Sequence, residues 1–214
     1  MHVIQTFVFF LVLVFGIDSS FASTAKPVAD SPFSRDSWSR TLEASNFKKF
    51  SELLIEAQRA SFPSIANEVA VSVAYRPQSL LTNEKSASDI PEFRIEAAHY
   101  LALAVRSGVY NADTAALRGL AKEYLDKYAN QKIESKAVLT LAHLQDSRDI
   151  PILLHIAKSE DPNHYRVAIY ALRIMCLREA QMALDKLRMD TTLSKTKQNV
   201  IDDSVRFLAI CPKR

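Results

Sequence analysis

The side chains of this chain that could carry chemistry are few and scattered. Beyond His2 there are four histidines (His99, His143, His155 and His164), two cysteines (Cys176 and Cys211) and one adjacent acid pair, Asp202 and Asp203, near the C-terminus. The histidines fall in neither HExxH nor another clear metal-ligand spacing. His99 stands three residues after Glu96, an offset that on a helix makes an ordinary polar contact. His155, between Leu154 and Ile156, is expected to pack or to cap. No serine lies in a Gly-x-Ser-x-Gly elbow, or in a Ser-x-x-Lys arrangement followed by its companion motifs. Consecutive helical positions point about 100° apart, so Asp202 and Asp203 do not form a preassembled dyad and are expected to be solvated. No catalytic residue, metal ligand or cofactor is therefore expected. An enzyme would need a site assembled between helices.

The elements that would position these residues read as helices throughout. After residue 22 only Gly108 and Gly119 remain, and Ala, Leu, Lys, Glu and Arg dominate the periodic segments. Asn46 to Arg59 places Phe47, Phe50, Leu53, Leu54 and Ala57 on one face. Pro63 fits the first turn of a second helix running to Tyr75, which Arg76-Pro77 ends. Gln78 to Ser88 reads as a polar connection. A helix from Asp89 to Ser107 carries Phe93, Ala97, Tyr100, Leu101 and Ala104 inward and stops at Gly108. The next, capped by Asn111 or Asp113, contains Gly119, whose presence is explained most simply by close approach of another helix. Further helices are expected over Ile133 to Leu144, Asp149 to Ala157, His164 to Cys176, Glu179 to Leu187 and Lys197 to Ile210. No segment alternates over the length of a strand.

Internal comparison adds a register. Ala66, Ala97, Ala137, Ala168 and Ile201 form one column, Val69, Tyr100, Thr140, Ala171 and Ser204 a second, and Ala70, Leu101, Leu141, Leu172 and Val205 a third. The successive steps are 31, 40, 31 and 33 residues. Small residues at such positions let helices pack closely, and each unit hides its apolar face only by stacking on neighbours. Asp161-Pro162 leading to Arg166, Val167, Ala168, Ala171 and Leu172, with Pro151, Leu153, Leu154, Ile156 and Ala157 upstream, resembles the HEAT-repeat family. The likeness is good over Asp149 to Cys176, fair over Ile133 to Leu144 and Pro91 to Ala104, and poor elsewhere. It implies an all-α, right-handed helix-pair superhelix of four or five short repeats that serves as a scaffold or binding surface. The family shares no catalytic residue.

In such a stack the second helices of successive units line one face. Their polar positions, Arg94, His99, Lys136, Arg166, Tyr170, Arg173 and Arg206, are the candidate partner-binding residues, with Tyr170 and Arg173 three apart on the strongest helix. Under the same register Cys176 and Cys211 end neighbouring helices that point the same way. A Cys176 to Cys211 disulfide is expected in an oxidising compartment, with two free cysteines as the alternative.

The compartment is read from the N-terminus. Val3 to Phe15 is apolar except for Gln5 and Thr6, and Ser20-Phe21-Ala22 has the form of a cleavage site, so residues 1–22 read as an export signal. Residues 23–37 read as a flexible leader, 38–211 as a single helical repeat domain and 212–214 as a tail. The chain is expected to be periplasmic or secreted, with no transmembrane segment after cleavage. From Asn163 onward ten Lys and Arg face five Asp and Glu, whereas residues 23–162 carry 17 against 18. That basic final third would suit an anionic envelope polymer or an acidic protein. Export and the lack of a known module speak against nucleic acid. The expected function is a non-enzymatic protein-binding scaffold or adaptor. The alternatives are an inhibitor or immunity-like protein that blocks a toxin or hydrolase, and an enzyme with a site between helices.

Overall fold

Several helix starts in this chain are set by short polar side chains that satisfy otherwise orphaned amides. Ser34 Oγ accepts the Ser37 amide at 3.2 Å and opens α1 (Arg35–Glu43), and Asn46 Oδ1 accepts the Lys49 amide at 2.9 Å and opens α2 (Phe47–Arg59). Pro63 precedes α3 (Ser64–Tyr75), and Pro91 sits in the first turn of α4 (Ile90–Arg106). Asp113 accepts the Ala115 and Ala116 amides, both at 3.0 Å, at the head of α5 (Thr114–Lys127); α6 covers Glu134–Leu144. Asp146 caps a short 3-10 turn, Ser147–Asp149, that runs into α7 (Ile150–Ala157). Asp161 accepts the Asn163 amide at 2.8 Å and, with Pro162, starts α8 (Pro162–Met175). The chain continues through α9 (Arg178–Arg188) and α10 (Lys195–Leu208).

These elements belong to a computed structural model that describes residues 33–77, 90–128 and 134–208, without the side chains of Phe207 and Leu208. The expected export signal, the leader as far as residue 32, the connection 78–88, Cys211 and the tail lie outside the described residues. Among the described residues the fold is all-α, with ten helices and no strand. No helix among them is long and apolar enough to cross a membrane.

The ends of the helices depend little on glycine. Gly108, at φ 70°, closes α4, with its amide to Val105 O at 2.9 Å and the Val109 amide to Ala104 O at 3.2 Å. Among the described residues five other left-handed positions are not glycine: Ser45, Ser61, Phe62, Gln145 and Cys176. Gln145 offsets its backbone cost by reaching across, its side-chain amide donating to Met175 O at 2.6 Å and joining the end of α6 to that of α8.

Packing follows an alternating order. Helix α4 packs on α2, α3, α5 and α6; α6 on α4, α5 and α8; and α8 on α6, α7, α9 and α10. Two apolar cores result, and α6 is their shared wall. Ala137 and Leu141 face the first core, which includes Trp38, Phe50, Phe93 and Tyr124, and Val138 and Ala142 face the second, which includes Leu153, Ile169, Leu172 and Leu184. A helix apolar on two sides has to be covered on both. In the first core Phe50 lies 5.0 Å from Phe93 and 5.9 Å from Trp38, ring centre to ring centre.

Two expectations change, and a third falls on residues outside those described. Gly119 is exposed, and a Cβ built there meets nothing within 4 Å, so close helix approach does not account for it. His155 neither packs nor caps but is exposed. The Cys176 to Cys211 bridge does not figure among the described contacts: Cys176 is the only described cysteine, no disulfide joins two described residues, and Cys211 lies outside them. Cys176 serves as the left-handed cap of α8, its sulfur 3.9 Å from Arg173 O. What is seen to hold α10 is packing on α8 and α9 together with Lys197, whose buried ammonium donates to Glu160 at 2.9 Å and to Lys158 O at 3.3 Å and stands 5.2 Å from the Tyr165 ring centre.

Candidate partner-binding surface

Because α4, α6 and α8 are covered by their neighbours on most sides, each keeps only a narrow row of accessible positions, whereas α10, which packs on α8 and α9, is more open. On α4 this row includes His99, Leu103 and Arg106; on α6, Lys136, Leu139 and His143; on α8, Arg166, Tyr170 and Arg173; on α10, Asn199, Asp203 and Arg206. The spacing of three, four or seven residues within each row is that of one helical face.

The seam between α4 and α6 is polar and partly buried. Glu96, buried on α4, accepts from Ser51 Oγ of α2 and from Lys136 Nζ of α6, both at 2.9 Å, so three helices meet at one carboxylate. It does not turn to His99 as its sequence spacing suggested. The His99 and His143 rings stand 5.3 Å apart. His99 keeps some accessible surface, yet its Nδ1 is buried without a hydrogen-bond partner. Burial holds its pKa well below the ordinary range, and the charges of Lys136 and His143 push in the same direction. Arg106 Nη1 lies 3.1 Å from His143 Nδ1. The guanidinium donates, so Nδ1 accepts and the neutral ring carries its proton on Nε2. Burial, and next to it the Arg106 charge, lower the His143 pKa to about 4.

On α8 the guanidinium of Arg173 lies 4.5 Å from the centre of the Tyr170 ring, and Tyr170 remains 43% exposed. Arg166 is exposed on the same helix. Arg206 is exposed on α10 and lies 3.9 Å from Asp203.

Arg94 departs from the group. Its Nε donates to Ala74 O at 3.0 Å and its guanidinium stands 5.8 Å from the Tyr124 ring centre, so it ties α3, α4 and α5 together rather than facing a partner. Lys136 is divided between roles, paired with Glu96 yet 37% exposed along its side chain.

A separate open cleft of about 750 Å³ is lined by Asp126, Glu134, His155, Lys158, Ser159 and His164 among others. His164 Nε2 lies 3.5 Å from Glu134 and 3.9 Å from Asp161. The Ser159 hydroxyl in the same cleft accepts the Asp161 amide at 3.2 Å and serves as a turn group. No group of three or more His, Cys, Asp or Glu that could hold a metal ion occurs among the described residues.

The chain matches no protein-family model, no curated protein and no solved structure. Its surface has to be read from its own chemistry.

The sequence did not reveal several polar groups that fix this surface. Asp149, fully buried, receives Arg118 Nε at 2.7 Å and Lys122 Nζ at 3.3 Å and locks α5 to the turn before α7. Arg106, Glu96 as a hub, and Lys197 were missed in the same way. Their partners lie 27 to 45 residues away, beyond any local pattern.

Proposed function

We propose that this chain is an exported, non-enzymatic binding protein that presents one face of a right-handed stack of helix pairs to a protein partner. The observation that carries this reading is the succession α3, α4, α6, α8, α10, in which each helix packs on the next and α4, α6 and α8 each leave a narrow row accessible. The stacked-pair arrangement is further supported by the first internal column, whose members Ala66, Ala97, Ala137, Ala168 and Ile201 are all fully buried. Export rests on the apolar segment Val3 to Phe15 and the Ser-Phe-Ala that follows it. A rigid face held by buried ion pairs favours binding, because little side-chain order has to be created on association.

The test is affinity capture with the mature chain from the native envelope, followed by reconstitution with the purified candidate. A single protein that rebinds at a fixed stoichiometry supports the reading. Failure of every captured protein to rebind in purified form would contradict it.

A further inference from the structure

The accessible rows of α4, α6 and α8 share a property that the charged helices α5 and α9 lack. From Ala97 to Arg106, from Ser135 to Leu144 and from Pro162 to Met175 there is no aspartate or glutamate. The two carboxylates that precede the first two stretches, Glu96 and Glu134, are buried; Glu96 is paired with Lys136, and Glu134 lies near His164. By contrast α5 mixes Glu123 and Asp126 with Arg118, Lys122 and Lys127, and α9 mixes Glu179 and Asp185 with Arg178, Lys186 and Arg188. One sign of charge is thus kept on the face formed by three successive inner helices. Apolar positions lie among the cations: Leu139 on α6 and Tyr170 on α8 occupy equivalent places, 31 residues apart.

We propose that this face recognises an acidic extended peptide segment with one apolar or aromatic anchor, the carboxylates meeting Arg166 and Arg173 and the anchor seating on Tyr170. The proposal rests on the binding-protein reading above and names its partner's chemistry. Charge complementarity selects an anion and speeds encounter. The half-exposed Tyr170 ring, with Arg173 stacked on it, selects a segment that also offers apolar surface, since aromatic and arginine side chains dominate the energetics of interfaces. An anionic polysaccharide or polyphosphate would satisfy the cations and leave the ring and Leu139 unused.

The experiment is fluorescence anisotropy on the full mature chain with a short labelled Glu-rich peptide carrying one Trp. The companions are the same peptide with Gln for Glu, the same with Ser for Trp, and unlabelled polyphosphate as competitor. Binding of the acidic Trp peptide is expected, weakened about tenfold by Glu-to-Gln replacement and by Arg166→Glu, and about fivefold by Tyr170→Ser. Arg188→Glu, an exposed change on α9, should leave it unaffected; melting curves establish that each variant folds. No binding at low salt, equal loss in Arg166→Glu and Arg188→Glu, or displacement by polyphosphate with no effect of Tyr170→Ser would overturn the inference. A reconstituted partner that protects this face but binds independently of salt and of Arg166 would overturn it too, while leaving the binding-protein reading intact.

Discussion

Gly119 lies inside α5 at a position where neither a left-handed φ nor a close neighbour requires glycine. Glycine there loses more backbone freedom on folding than alanine would, without any compensating contact. Gly119→Ala is therefore expected to raise the unfolding free energy by about 0.5 to 1 kcal/mol in urea titration; a decrease would reveal a role for the bare backbone. Single residues also show what the sequence made legible. All five residues of the first internal column are fully buried, because small and apolar side chains at helical spacing declare their own burial. Polar residues declare nothing comparable. Arg94 looked like a surface cation and instead caps Ala74 O; His155 looked packed and is exposed; the partner of Asp149 is a helix away. In each case the decisive group is distant in sequence, and periodicity carries no information about it.

The α4–α6 seam is where element packing should respond to pH. It holds His99 and His143 neutral beside Arg106 and Lys136, with Glu96 engaged by Lys136 and Ser51. Both histidine pKa values are lowered in the folded chain, His143 to about 4 from an ordinary 6.5. The unfolded chain therefore binds more protons between these limits, so stability is full above about pH 6.5 and is lost as pH falls toward about 4. For His143, which keeps some contact with solvent, the loss should approach about 2 kcal/mol. Urea titrations across that range should show this slope, and His143→Gln should flatten it. An unchanged slope in the variant would show that His143 does not govern the response. Helix boundaries were largely readable in advance, since Asn46, Pro63, Gly108 and Asp161-Pro162 are local signals, whereas the left-handed ends at Ser45, Ser61 and Gln145 had no glycine to announce them.

At the scale of the whole molecule, α6 serves two cores and α4, α6, α8 and α10 pack each on the next, so a ligand on one row would meet a surface braced by buried charges behind it. The all-α class was legible from composition and period, because nothing in the chain alternates as a strand does. The functional identity was not, since a binding face is defined by complementarity to a partner that the sequence does not contain. The central claim is that the partner is bound on the face built from α4, α6, α8 and α10. Its most direct test is amide hydrogen exchange on the chain alone and with its reconstituted partner. New protection concentrated in α6 and α8, around Leu139 and Tyr170, with α5 and α9 unchanged, is the expected result; protection confined to α5, α7 or α9 would contradict it.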